Sequence, residues 1–249
     1  MIKNIKNEMY KLWKGRRLGI FLLILLVTCI AMGVLVRSIQ IKGFFEKEVI
    51  DSMIGGNFPT QVLGVIADIV LPVLATLFVT FLVTDEAESG SLKLPLLCGQ
   101  SREKLIVAKA VAVLIGAMAL MAVTYISSNI VAAVFWGSDS VAAALFPNAV
   151  IFAESYFALA GWSMIVLFAS LFVKNSGSMV GIAVIVLVIG CILSSASPQI
   201  AKYEVMYYLK AFVSMVVLDR TLAMAVCGGT VVAFLAMATL KFRALQIQK

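Results

Sequence analysis

Six long apolar runs, at residues 18–36, 62–84, 105–127, 149–173, 179–196 and 221–240, constrain this chain more than any other feature. Each is close to the ~20 residues that a helix needs to cross a hydrocarbon core of ~30 Å. A soluble core could not absorb them, because 62% of the 249 residues are hydrophobic, only 13% are charged, and the mean hydropathy is +1.07. Membrane-barrel strands would alternate in polarity over ~10 residues, and these runs do not. The expected fold is therefore all-α: a polytopic membrane protein with six transmembrane helices, organised as one transmembrane domain over residues 1–249.

A net charge of +7 could suggest a nucleic-acid partner, so its distribution matters. With a cytoplasmic N-terminus, 14 Lys and Arg residues fall in inner segments (Lys3 through Arg17, Lys93 to Lys109, Lys174, and Lys241 to Lys249) and 6 in outer ones (Arg37, Lys42, Lys47, Lys202, Lys210 and Arg220). That bias follows the positive-inside rule and places both termini in the cytoplasm. Basicity here is an orientation signal, and no nucleic-acid partner is expected. The first apolar run exceeds a signal-peptide h-region and ends at Val34-Leu35-Val36-Arg37 with no small-residue cleavage site, so it reads as a permanent helix. Cys29, Cys98, Cys191 and Cys227 show no paired spacing, which implies neither a disulfide framework nor a zinc site.

Before the first span, Ile2, Ile5, Met9, Leu12 and Trp13 recur at helical spacing among Lys3, Lys6, Lys11 and Lys14. Residues 1–17 thus predict an interfacial helix, its apolar face in the headgroup boundary and its lysines on anionic lipid. The outer loops at 37–61 and 137–148 are too short for a folded receptor domain. Between the fifth and sixth spans, residues 205–218 form an apolar run too short to cross, broken by Lys210 and carrying Tyr207, Tyr208 and Phe212. This predicts a short re-entrant outer segment, with a surface helix bearing a tyrosine belt as the alternative. Small residues spaced four apart, Ala108-Ala112-Gly116 and Ala225-Gly229-Ala233, allow close helix approach, either within the bundle or at a dimer seam. Two acids, Asp68 and Glu154, fall inside spans, each about six residues from the outer end. Such groups either mark a substrate path or pair structurally, here with Lys210 or Arg220.

Catalytic constellations are mostly excluded. The chain has no histidine, which removes His-dependent triads, H-E-x-x-H zinc sites and haem-His ligation. It also has no G-x-x-x-x-G-K-[ST] loop, so it cannot hydrolyse ATP by the P-loop route. The densest block of mixed charge is the inner loop, 85–104, running on to Lys109. Its order of acids, Gly90 turn, leucine-rich stretch (Leu92, Leu94, Leu96, Leu97) and basic cluster suits a short helix that docks in a groove.

That stretch resembles the inner loop of ABC-2 type transporter permeases: an acidic residue (Glu86, Glu88), a Gly90-Ser91-Leu92 turn, leucines at 94 to 97, Ser101-Arg102, and a following base at Lys109. The likeness extends over the chain, through the basic N-terminus, the six spans, the longer fifth-to-sixth outer segment and Leu171 to Gly177 after the fourth span. In size it is similar to the small permeases of the lantibiotic-immunity and bacitracin-export type. Pro95 departs from the pattern, since a regular helix would start after it or kink there. The resemblance implies a permease subunit of an ATP-driven ABC transporter in a bacterial plasma membrane, exporting antimicrobial peptides or other amphipathic compounds. It implies no cofactor on this chain and no catalysis by it. ATP and magnesium would sit on a partner ABC ATPase, and a second permease, the same or similar, would complete a dimer in membrane lipid. The residues expected to couple to the ATPase across the cytoplasmic loop 85–104 are Glu86, Glu88, Gly90, Leu92, Arg102 and Lys104. The candidates for a substrate path are Asp68, Glu154, Tyr207, Tyr208 and Phe212. The rival classes are a membrane-embedded enzyme, which would need more clustered groups than Asp68 and Glu154, and a sensor or assembly subunit, which the inner loop would serve equally.

Overall fold

The computed structural model describes residues 2–14, 16–42, 46–91, 101–173, 175–213 and 219–244. Among them every regular element is helical, in chain order α1 (Ile2–Lys14), α2 (Arg17–Lys42), α3 (Lys47–Asp51), a 3-10 turn (Gly55–Asn57), α4 (Phe58–Asp68), α5 (Val70–Glu88), α6 (Arg102–Trp136), α7 (Ser138–Ala142), α8 (Leu145–Ala169), α9 (Ser176–Ala196), α10 (Pro198–Ala201), α11 (Val205–Ala211) and α12 (Arg220–Ala244). Six of these, α2, α5, α6, α8, α9 and α12, are long and apolar enough to cross a bilayer. The all-α polytopic expectation holds.

α6 is the central post. Its 35 residues make a rod of ~52 Å at 1.5 Å per residue, and it packs against α1, α2, α4, α5, α8 and α12. Two polar side chains buried along it, Thr124 and Asn129, donate to the carbonyls of Leu120 and Tyr125 one turn back. Gly116 is where α5 comes closest: a Cβ there would lie 2.1 Å from Phe78 Cε1. The Ala108-Ala112-Gly116 stripe is buried inside the chain, whereas Ala225, Gly229 and Ala233 on α12 are exposed. Most of the apolar length of α9, α12 and α2 is not covered by the rest of the chain. Isoleucine, leucine and valine side chains face outward there, as they do on helices solvated by lipid tails.

The second span differs from the sequence expectation of one helix over 62–84. It is broken at Ile69, which has φ −137° and ψ −48°. The cause is Pro72. It has no N–H for the carbonyl of Asp68 four residues back, and its ring would collide with that carbonyl, so a continuous helix cannot pass. The chain ends α4 at Asp68 and restarts with Pro72 in the first turn of α5, where the missing donor is harmless. Other bounds shift less. α6 runs nine residues beyond the expected end at 127, and α8 covers 145–169 where 149–173 was read.

Between α9 and α12 the re-entrant expectation covers 205–218, of which 214–218 lie outside the described residues. The described part forms the two-turn α11, seated on α8, α4 and α9. Tyr208, Leu209, Ala211 and Phe212 are buried, so this segment is sunk into the bundle.

Candidate functional site

The helices bring the chemistry to two opposite ends of the bundle. α5 spans between them: its 19 residues cover ~28 Å, with Asp68 just before one end and Glu86 near the other. At the Glu86 end meet α1, the start of α6, the start of α9 and the end of α12. At the Asp68 end meet the 55–58 turn, α7, α11 and the start of α12. The segments that charge counting assigned to one side of the membrane are thus gathered at one end of the molecule.

The Glu86 end is organised around Lys109. This lysine lies on α6 with its side chain 1% exposed. Its ammonium donates three hydrogen bonds: 2.6 Å to the Leu82 carbonyl, 2.7 Å to Glu86 Oε2 and 3.3 Å to Glu8 Oε2. The remaining carboxylate oxygens are taken by Lys11, whose Nζ lies 3.0 Å from Glu8 Oε1 and 2.9 Å from Glu86 Oε1. Two acids and two bases close a neutral ring across α1, α5 and α6. Such closure is what lets charge persist at a buried site. Partial burial disfavours the charged form of Lys11, but its hydrogen bonds to Glu86 and Glu8 outweigh this and hold its pKa above the ordinary lysine value.

Glu86 and Lys109 stand on either side of the inner loop, so the ring ties the loop's two roots together and pins α1 to them. The same end has three further links. The hydroxyl of Ser176, the first residue of α9, lies within hydrogen-bond reach of Asp85 and of Glu88 Oε2, the latter at 2.8 Å, with one proton to share between them, and its amide donates to Glu88 Oε2 at 3.2 Å. These two acids thereby satisfy the start of a helix. Arg102 donates to the Arg243 carbonyl, and the Arg243 guanidinium sits 3.6 Å from Glu103. Lys241 lies over the Phe172 ring at 4.7 Å.

Of the residues expected to couple to an ATPase, Glu86 is therefore in the ring, Glu88 caps α9, and Arg102 meets α12. Lys104 is exposed. Gly90 adopts φ +72°, which a glycine turn requires. Leu92 lies outside the described residues. Glu8 and Lys11 were missed as site residues. The signal was present, since Glu8 is the lone acid in residues 1–17.

At the opposite end both intramembrane acids are paired. Lys210 Nζ lies 3.0 Å from Asp68 Oδ1, and Arg220 lies 3.3 Å from Glu154 Oε1. The two acids are held by separate bases and do not form a catalytic dyad. Beside the Asp68–Lys210 pair is a cavity of about 380 Å³ lined by Asp68, Cys191, Ser194, Glu204, Tyr207 and Lys210. It shares Asp68, Leu187, Cys191 and Ser195 with an apolar groove of about 670 Å³ between α5 and α9, walled by Ile69, Val73, Val184, Val188 and Ile192. Among the expected path residues, Asp68 and Tyr207 line the cavity. Tyr208 and Phe212 do not; they are core, with the Tyr208 hydroxyl bonded to the Lys202 carbonyl at 2.7 Å. Glu204, also missed in the sequence, abuts Gly190 of α9. Its Oε2 is buried without a hydrogen-bond partner, and burial pushes its carboxyl above the ordinary range.

A comparison with curated proteins finds no match. A family model described as ABC-2 family transporter protein matches residues 4–194, well over half of the chain and inclusive of the ring, the inner loop and five of the six spanning helices. Proteins of this family are membrane components of transporters that work with an ABC ATPase. The chain belongs to the ABC-2 transporter family, as a multi-pass permease component.

Proposed function

We propose that the chain exports or expels amphipathic compounds, antimicrobial peptides foremost, as one permease of a dimer in a bacterial plasma membrane, driven by an ABC ATPase on a separate chain. The observation that carries this reading is the joined cavity and groove. A polar chamber at the mouth of an apolar trough suits a molecule with one polar and one oily part. The chamber holds two acids and one base, and Lys210 is engaged with Asp68. That balance favours a ligand with positive charge.

In this reading the ring end and both termini face the cytoplasm, in line with the charge bias of the sequence. The inner loop meets the ATPase. Glu88 and Gly90 shape its first turn, Leu92 supplies an apolar contact, Lys104 and Arg102 present charge beyond it, and Glu86 holds its root. Asp68 and Tyr207 border the path, with Tyr208 and Phe212 supporting it from behind and Glu154 held to its side by Arg220. The exposed face of α12 is where a second permease would seat.

The test has two arms. Affinity purification of the full chain from its native membrane should retain a P-loop ATPase. Cells carrying both proteins should survive a panel of cationic peptide antibiotics at concentrations that kill cells lacking either one. Glu204→Gln should lower that protection while leaving the ATPase bound. Purification without any ATPase would overturn the reading.

A further inference from the structure

The ring of Glu8, Lys11, Glu86 and Lys109 has a line of division along which no charge is stranded. Separating α1 from α5 and α6 leaves Glu8 with Lys11 on α1, 3.0 Å apart, and Glu86 with Lys109 across the loop roots, 2.7 Å apart. Lys109 keeps the Leu82 carbonyl as well. Among the described residues two ionic contacts join the halves, Lys11 to Glu86 at 2.9 Å and Lys109 to Glu8 at 3.3 Å, beside the apolar packing of Met9. Most buried ion clusters resist opening because parting them leaves an unpaired charge in a low dielectric. This one parts into two neutral pairs.

We propose that α1 is a detachable latch on the root of the inner loop, leaving Glu86 and Lys109 during the transport cycle as a neutral Glu8–Lys11 pair and returning to them at rest. The proposal rests on the permease reading above, and it makes Glu8 and Lys11 positioning residues that act through Glu86 and Lys109. Exposure sets where opening starts. Lys109 and Glu8 are sealed, with side chains 1% and 2% exposed, whereas Lys11 and Glu86 are 38% and 17% exposed. Water therefore reaches the Lys11–Glu86 link first. The released helix has somewhere to go, because an amphipathic helix with lysines on its polar face is stable in the headgroup layer. It also has a pivot: α1 and α2 are separate helices, and Arg16 between them sits at φ 54°, in the left-handed region. α1 can swing there without unwinding α2.

The full chain with its ATPase, reconstituted in lipid nanodiscs, is treated with a water-soluble carbodiimide. This reagent joins an ammonium and a carboxylate in contact as an amide and departs as its urea. Mass spectrometry of the Lys11–Glu86 crosslink reads the closed latch. The resting complex should give it in good yield. Trapping with ATP and vanadate should lower it to below about a fifth, with the Lys11–Glu8 crosslink retained. Equal Lys11–Glu86 yield in every state would show a fixed brace and overturn the latch.

A second measurement needs no ATPase. The double variant E8K/K11E keeps the internal pair and the charge of α1, yet sets like charges against both Lys109 and Glu86. Hydrogen exchange over α1 in the chain alone should accelerate about tenfold or more, the order expected when charge-assisted contacts are lost, with no change over 176–196. Lys11→Met, a milder change, should accelerate it by a smaller factor. Unchanged exchange in both variants overturns the latch whether or not the chain transports anything. Absence of a partner ATPase would instead overturn the permease reading, and the exchange comparison then decides alone whether α1 detaches.

Discussion

Lys109→Met is the sharpest single perturbation of the ring. Methionine keeps the reach of the lysine stem and its fit between α5 and α6 while removing the ammonium. Three acceptors lose their donor together: the Leu82 carbonyl, Glu86 Oε2 and Glu8 Oε2. Two carboxylates are then left facing one ammonium, that of Lys11. Removing one partner of a buried ion pair costs about 3–5 kcal/mol, most of it the penalty on the stranded charge. The stranded charge can be removed in turn. Lys109→Met with Glu86→Gln leaves the single neutral pair Glu8–Lys11, and it should recover more than half of the loss. Reversible unfolding in mixed micelles of increasing dodecyl sulfate fraction, followed by circular dichroism, reads both quantities. A Lys109→Met chain within about 0.5 kcal/mol of the parent, the range of an ordinary surface change, would refute the claim that the ring carries buried charge. So would a Glu86→Gln change that adds to the loss.

Titration offers an independent check, because Lys11 has its pKa raised above the ordinary 10.5. A group raised on folding contributes stability that is complete below its unfolded value and is lost as pH rises through its folded value. The stability difference between the parent and Lys11→Met should stay constant from neutral pH to about 10 and shrink only above that, and shrinkage between pH 7 and 9 would contradict the assignment. Gly116→Ala should destabilise by about 1–3 kcal/mol, since its Cβ would overlap the Phe78 ring, whereas Gly229→Ala meets nothing within 4 Å and should be near neutral; equal melting of the two variants would contradict the close α5–α6 approach. In a chain freed of its native cysteines, a cysteine at Asn57 should react with an impermeant maleimide in intact cells and one at Ser89 should be protected, and the reverse pattern would invert the orientation.

What the sequence made legible follows from which interactions are local. Six spans could be read because lipid demands long, uniformly apolar helices, and that requirement is written residue by residue. The break at Ile69 was legible in principle, through Pro72 and the carbonyl four residues before it. It was masked because hydropathy does not change across the break. The pairing of Asp68 and Glu154 with Lys210 and Arg220 could be named from depth along the helices, and the structure makes those two pairs. The ring could not be assembled in this way, because it closes over separations of 75 and 101 residues among three elements. Its sequence clues were a lysine four residues inside a span, at 109, where an isolated cation is costly and calls for a partner, and Glu8 as the lone acid in residues 1–17. Glu204 had no clue of that kind. One acid in an outer connection looks ordinary until the fold sets it against Gly190.

In the proposed permease, α5 and α9 are the elements that link the two ends of the molecule. They are fastened at the inner-loop end, where Ser176 at the head of α9 bonds to Asp85 and Glu88 at the foot of α5. Toward the far end the apolar groove lies between them, with Ile69 and Val73 on one wall and Val188 and Ile192 on the other. Two packed rods joined at one end transmit a change of angle at the joint into a change of width at the open end. Over ~28 Å of helix, a rotation of about 5° at the joint moves the groove walls by ~2 Å. The ring sits at that same joint, through Leu82 and Glu86 of α5. A side-chain contact made or lost there acts on the angle and need not touch the ligand. In the proposed export cycle, this is how Glu86, whose carboxylate is engaged inside the chain by Lys109 and Lys11, would act on the cavity.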